Sequence, residues 1–231
     1  MSRTILEIVR AAAPRIGIAR PDLLFGDTSD QAVEIRSVLQ EAADRIVRAH
    51  DWSMLKVEET HVGDGTTEGY DLPTDYLRMP KEGQIWSTRW QHPLAPVTAE
   101  EWLRLDVREY DLIVGTWIIL EGQVKYRPVL ASGESARWFY MSNLAVAPTS
   151  GANKALFTAD TDTFRLGDRI LELALIWEWK RAKGLPYEEQ MMPAEEALAK
   201  AISDDKGARI ISQSSRRNFT GKMSYPWQIA P

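Results

Sequence analysis

With 231 residues, 44% apolar and 26% charged, the chain has the make-up of a globular protein that buries a core of its own, as one large domain or two small ones. It contains no cysteine, which excludes disulfide frameworks, thiolate zinc sites and cysteine nucleophiles and fits a reducing cytoplasm. Its net charge of −5 is uneven, −10 over residues 1–205 and +5 over residues 206–231, so an acidic body unsuited to gripping DNA carries a basic tail.

Residues 4–16 have apolar side chains at helical spacing (Ile5, Ile8, Val9, Ala12, Ile16), with Thr4 and Glu7 at capping-box spacing. Pro14 is expected to kink or end this helix early, and Gly17 to stop it. A second helix is predicted from about Thr28 to His50, opened by a Thr28/Gln31 box, with Ile35, Leu39, Ala42, Ile46 and Ala49 as a seam against other helices and Trp52 just beyond it. No run is long enough for a signal-peptide core or a membrane span.

From Lys56 the pattern becomes one of short segments between turn residues. Strands are expected at Lys56–Val62, Leu112–Leu120, Gln123–Val129 and Ala136–Val146, with further extended pieces at Tyr70–Pro73 and Ile85-Trp86. Thr98 and Glu101 open a short helix carrying Trp102 and Leu105. The whole stretch reads as an antiparallel β domain.

Helical periodicity returns near Asp162, with Leu166, Ile170, Leu173, Ala174 and Trp177 on one face, basic residues in the last turn and Gly184 as the stop. Pro186 suits the first turn of a final helix running to about Asp205, and Pro193 is expected to kink that helix or mark its true start. The resulting fold class is α+β: a discontinuous helical bundle (1–54 and 158–205) with an inserted β domain (55–157) and an extended C-terminal arm (206–231).

Chemistry-bearing patterns are sparse. His50, His61 and His92 fall on separate elements without metal-ligand spacing, and neither a phosphate loop nor a nucleophile elbow is present. Asp160 and Asp162 have the spacing for acid–base or cation chemistry, but a helix N-cap role is favoured. Glu188-Glu189 and Glu195-Glu196 read as a solvated face. No catalytic, cofactor or metal residue is assigned. The arm interleaves Arg209, Arg216 and Arg217 with Phe219, Tyr225 and Trp227, which suits single-stranded nucleic acid and a protein groove equally well.

Three stretches resemble the head-to-tail adaptor proteins of short-tailed phages, the tail tubular protein A type, and related connection proteins. They are Tyr70-Asp71-Leu72-Pro73-Thr74-Asp75-Tyr76-Leu77-Arg78, Phe157-Thr158-Ala159-Asp160-Thr161-Asp162-Thr163, and Leu175 to Tyr187 with its Trp177-Glu178-Trp179-Lys180 core. The opening helix pair ending in His50-Asp51-Trp52 is similar in order and length. The Phe164–Asp168 stretch lacks the proline that family members often place before the long helix, and Pro193 interrupts a helix usually continuous.

The resemblance implies a non-enzymatic virion protein at the head–tail junction, assembled in the host cytoplasm. It also implies a ring, expected to be dodecameric, beneath the portal protein, joined to a tail nozzle or tail tube and passing double-stranded DNA without specific contact. The arm residues Arg209, Ile210, Ile211, Arg216, Arg217, Phe219, Tyr225 and Trp227 are expected to bind portal or a neighbouring subunit. The alternatives are a neck or tail-completion protein of a long-tailed phage, a metal-dependent hydrolase using Asp160 and Asp162, and a nucleic-acid-binding module.

Overall fold

The computed structural model describes residues 2–107 and 114–206. Helix α1 spans Ile5–Ile16. Its capping box is complete: the Glu7 amide donates to Thr4 Oγ1 (3.3 Å) and the Thr4 amide to Glu7 Oε2 (2.8 Å). The helix runs through Pro14 instead of ending early. Pro14 lies in the last turn on the exposed side, where the missing N–H weakens little. Gly17, at φ 76°, then stops it.

Helix α2 spans Asp30–Ala49, and its cap is Ser29, not Thr28. The Asp27 carboxylate accepts from both the amide (2.8 Å) and the hydroxyl (2.9 Å) of Ser29, and Ser29 Oγ accepts from the Ala32 amide (3.3 Å). Ile35, Leu39, Ala42 and Ile46 are buried as the periodicity requires, whereas Ala49 is exposed. The seam ends early because the chain doubles back: the Trp52 indole N–H donates to the Ile46 carbonyl (2.8 Å).

Helix α4 begins at Asp168, later than the periodicity predicts, and spans Asp168–Ala182; Leu166 lies outside it, packed against the helical core. Every residue from Ile170 to Trp179 is buried, so a one-face reading is wrong. Three helices cover it. Glu172 meets Arg3 and Arg15 on the α1 side, Leu173 and Trp177 pack on Ala194 of α5 (Glu188–Asp205), and Glu178 meets Arg45 of α2. At about 100° per residue these contacts lie roughly a third of a turn apart around α4.

The α4–α5 connection is a Schellman turn. Gly184 (φ 66°) donates its amide to the Arg181 carbonyl (3.0 Å), and the Leu185 amide donates to the Lys180 carbonyl (2.9 Å). Pro186 precedes α5, with Tyr187 at the cap position. Pro193 sits inside α5 on its exposed side, so it is not the helix start.

Between the helices lies a β region with its own apolar cluster, including Trp117, Tyr126, Trp138 and Tyr140. β1 (Lys56–Val62) pairs antiparallel along β8 (Ser135–Ser142), whose other side takes β3 (Tyr76–Arg78) and β4 (Trp86–Ser87). A second sheet runs in the order β2 (Gly69–Asp71), β7 (Gln123–Arg127), β6 (Thr116–Leu120), β5 (Ala95–Pro96). Its β5–β6 pair is parallel, a departure from the expected all-antiparallel domain.

β6 starts at Thr116, after residues 112 and 113 that lie outside the description; β7 ends at Arg127, before the cis Arg127-Pro128 bond. The predicted Ala136–Val146 strand is two strands. It breaks at residues 143–145, and β9 (Val146–Ala147) pairs with β10 (Thr163–Phe164) beside the helices. Helix α3 (Ala99–Val107) opens on a reciprocal Thr98/Glu101 cap and buries Trp102. Met141, Ala145 and Val146 belong to the helical core, which joins the β region to the helices.

Candidate functional site

The resemblance-bearing segments are structural fasteners. Arg78 pairs with Asp51 Oδ1 and donates to the His50 carbonyl (3.0 Å), while the Lys81 amide donates to Asp51 Oδ2 (2.8 Å). Burial alone would raise the Asp51 carboxyl, but the Lys81 amide and Arg78 outweigh it and hold it below the usual range. Asp75 accepts from the Tyr140 hydroxyl (2.8 Å). The Tyr70–Arg78 and His50–Trp52 stretches thereby lock the first sheet onto the end of α2.

Asp160 and Asp162 cap no helix through their side chains. Asp160 accepts from the amides of Leu24 (3.1 Å) and Phe25 (2.9 Å). Asp162 Oδ2 accepts from Lys154 Nζ (2.7 Å) and the amides of Thr158 (2.8 Å) and Ala159 (3.0 Å). Burial pushes the Asp162 carboxyl up, yet these donors prevail and lower it. The two backbone carbonyls accept from the first amides of α1, at Ile5 (2.8 Å) and Leu6 (3.3 Å). The segment thus ties α1 to the chain entering α4.

Carboxylates engaged in this way are poor metal ligands. Among the described residues no group of three or more His, Cys, Asp or Glu side chains is placed to hold an ion. The histidines are apart in role: His50 faces Asp205 (3.3 Å), and His61 is buried in the β cluster with Nδ1 2.7 Å from the Tyr126 hydroxyl.

The Trp177–Lys183 stretch holds α4 to α2. Glu178, 1% exposed, lies 2.5 Å from Arg45 and 2.7 Å from Arg181. Both guanidinium groups also sit over the Trp177 ring, at 4.8 and 5.4 Å. Arg181 and Lys183 reach Glu41 (2.9 Å) and Glu34 (2.5 Å) on α2. These buried charges escape a periodicity reading, because Glu172 and Glu178 look like solvent positions on a one-faced helix.

What remains free is surface. Trp86 and Phe139, about half exposed, stand on the outer face of the first sheet beside a groove of about 450 Å³ lined also by Lys56, Glu82 and Arg137. Glu188, Glu189, Glu195 and Glu196 lie exposed on α5, as the solvated-face reading expects. No helix among the described residues is long and apolar enough to cross a membrane. The predicted binding residues Arg209, Ile210, Ile211, Arg216, Arg217, Phe219, Tyr225 and Trp227 lie outside the described residues. The chain leaves the described part at Lys206, where Asp205 Oδ2 accepts from the Ser53 amide (3.0 Å) and Oδ1 from the Ser53 hydroxyl (2.5 Å).

No curated protein matches the chain. The pattern of one family does, over residues 3–224: the SU10 adaptor protein.

Proposed function

The chain belongs to the SU10 adaptor protein family, a family of phage head–tail adaptors, and from that premise we propose that it forms a ring beneath the portal, attaches the tail or nozzle and lets the genome pass. The match across nearly the whole chain carries this reading. It makes the protein a structural component of the phage particle, and binding, without turnover, is the proposed chemistry. The proposed place is the head–tail junction, reached by assembly in the host cytoplasm, and the proposed stoichiometry is twelve.

The charge distribution supports passage without grip. A body of −10 repels phosphates, and weak contact lets a duplex slide. The proposed division is a helical part of residues 1–54 and 158–205, a β part of 55–157 turned to the tail, and an arm of 206–231 turned to the portal. The exposed Trp86 and Phe139 beside their groove suit a contact with the tail component, since aromatic residues dominate interface energetics. Arg209, Ile210, Ile211, Arg216, Arg217, Phe219, Tyr225 and Trp227 are the proposed contacts with portal or a neighbouring subunit.

The arm is tested by deletion. A chain ending at Lys206 keeps the far-UV and near-UV dichroism of the full protein and fails to co-sediment with portal. Undiminished co-sedimentation removes the arm from the docking role.

A further inference from the structure

The two sheets of the β region differ in how they are tied to the rest of the chain. The first reaches the helical core through Met141 of β8 and Leu77 of β3. The second gives that core no residue: its Tyr70, Trp117, Ile119, Val124 and Tyr126 belong to the β cluster alone. Parting the second sheet from the first would therefore leave the helical core intact.

His61 of β1 stands where the sheets meet, and it is buried. Its ring stacks on Tyr70 of β2, with centroids 4.8 Å and planes 11° apart, and its Nδ1 lies 2.7 Å from the Tyr126 hydroxyl of β7. The Tyr70 hydroxyl also donates to the carbonyl of Val62, the next residue of β1 (3.3 Å). On its own sheet His61 meets Trp138 of β8 edge to face (5.9 Å). Nε2 is buried without a partner, so neither tautomer satisfies the whole ring. No described carboxylate pairs with it. The titratable groups facing it are the Tyr70 and Tyr126 phenols, both raised chiefly by burial, while β8 presents the uncharged Trp138. Glu59, Asp64 and Glu134 act on those phenols as nearby charges, yet burial alone governs the imidazole. A protonated ring would place a charge and a bare N–H in this cluster, whereas separated sheets would give the same ring to water.

We propose that His61 is an acid-sensitive fastener between the two sheets: on acidification the β2-β7-β6-β5 sheet parts from the first sheet while the helical part stays closed. Acid acts by favouring the open form, in which the ring takes a proton, over the closed form, in which it stays neutral. The device lies in the β part alone and goes beyond the adaptor role; its test needs no portal, so it fails or stands separately from that role.

The test is amide hydrogen exchange on the full chain at pH 7 and pH 5, corrected for the intrinsic pH dependence of exchange, beside the variant His61→Gln. In the unmodified chain the β2 and β7 amides open about tenfold or more often at pH 5 than at pH 7, and at pH 5 they open more often than the α4 amides. His61→Gln removes the pH dependence. Equal opening of the β2, β7 and α4 amides at pH 5 overturns the proposal, in favour of the whole chain unfolding at once. Opening insensitive to pH overturns it too, as does a pH dependence that survives His61→Gln. A second measurement needs no variant: the His61 ring-proton resonance of the folded chain keeps its neutral position down to pH 5, and a titration midpoint near 6.5 overturns the proposal.

Discussion

His61 is 5% exposed, stacks on Tyr70 with ring centroids 4.8 Å apart, and is held by burial at a pKa of about 4. The unfolded histidine takes its proton near pH 6.5. Between those values the unfolded chain binds the extra proton, so stability falls as pH drops from about 6.5 to about 4, by on the order of 3 kcal/mol. Replacing His61 by Gln should flatten that limb of a urea-denaturation series taken at successive pH values; an unchanged slope would contradict the burial account. The depressed carboxylates Asp51, Asp162 and Asp205 act lower, their contribution being lost as pH falls below 3.8 through their folded values. Glu178 gives a second residue-scale prediction. Arg45→Met leaves a buried carboxylate short of a partner and should cost about 2 kcal/mol or more in chemical denaturation. Glu178→Met frees two arginines that are already 45% and 41% exposed, so it should cost less. The opposite order would show that the pair does not hold α2 to α4.

At the scale of elements, stability should concentrate where helices start and stop. Gly184→Ala forces a side chain into the left-handed region at φ 66° and should lower stability by about 1 kcal/mol, with a comparable loss for Thr4→Ala, both read from the urea midpoint. Both positions were legible in the sequence, as were α1, the Thr98/Glu101 cap and β1, because each depends on short-range patterns. Helix onsets were legible only where no competing group intervened. Asp27 moves the α2 cap to Ser29, and a residue string with Asp, Thr and Ser in succession does not say which oxygen wins. The burial of α4 on all sides was illegible for a different reason. Its charges at Glu172 and Glu178 disguise a central helix, and beside the local Arg169 and Arg181 their partners are Arg3, Arg15 and Arg45, more than a hundred residues away in sequence. The roles of Asp160 and Asp162 were hidden likewise, since their acceptors serve Leu24, Phe25 and the start of α1.

For the whole molecule, helices from both ends of the chain share one apolar cluster, with Ile8 and Leu39 beside Leu171 and Leu175, while Tyr126 and Trp138 centre a second cluster between them in sequence. Among the described residues this arrangement presents a half-exposed aromatic pair and an acidic helix face, and the sequence that follows them is basic. Heterologous contacts between identical bodies of that kind close into rings when the rotation permits. The most direct measurement is electron microscopy of the purified protein mixed with its portal. The expected image is a continuous annulus of this protein seated coaxially beneath the portal, with a channel wide enough for a duplex. Portal particles without added density, at protein concentrations where the chain is folded and in excess, would contradict it.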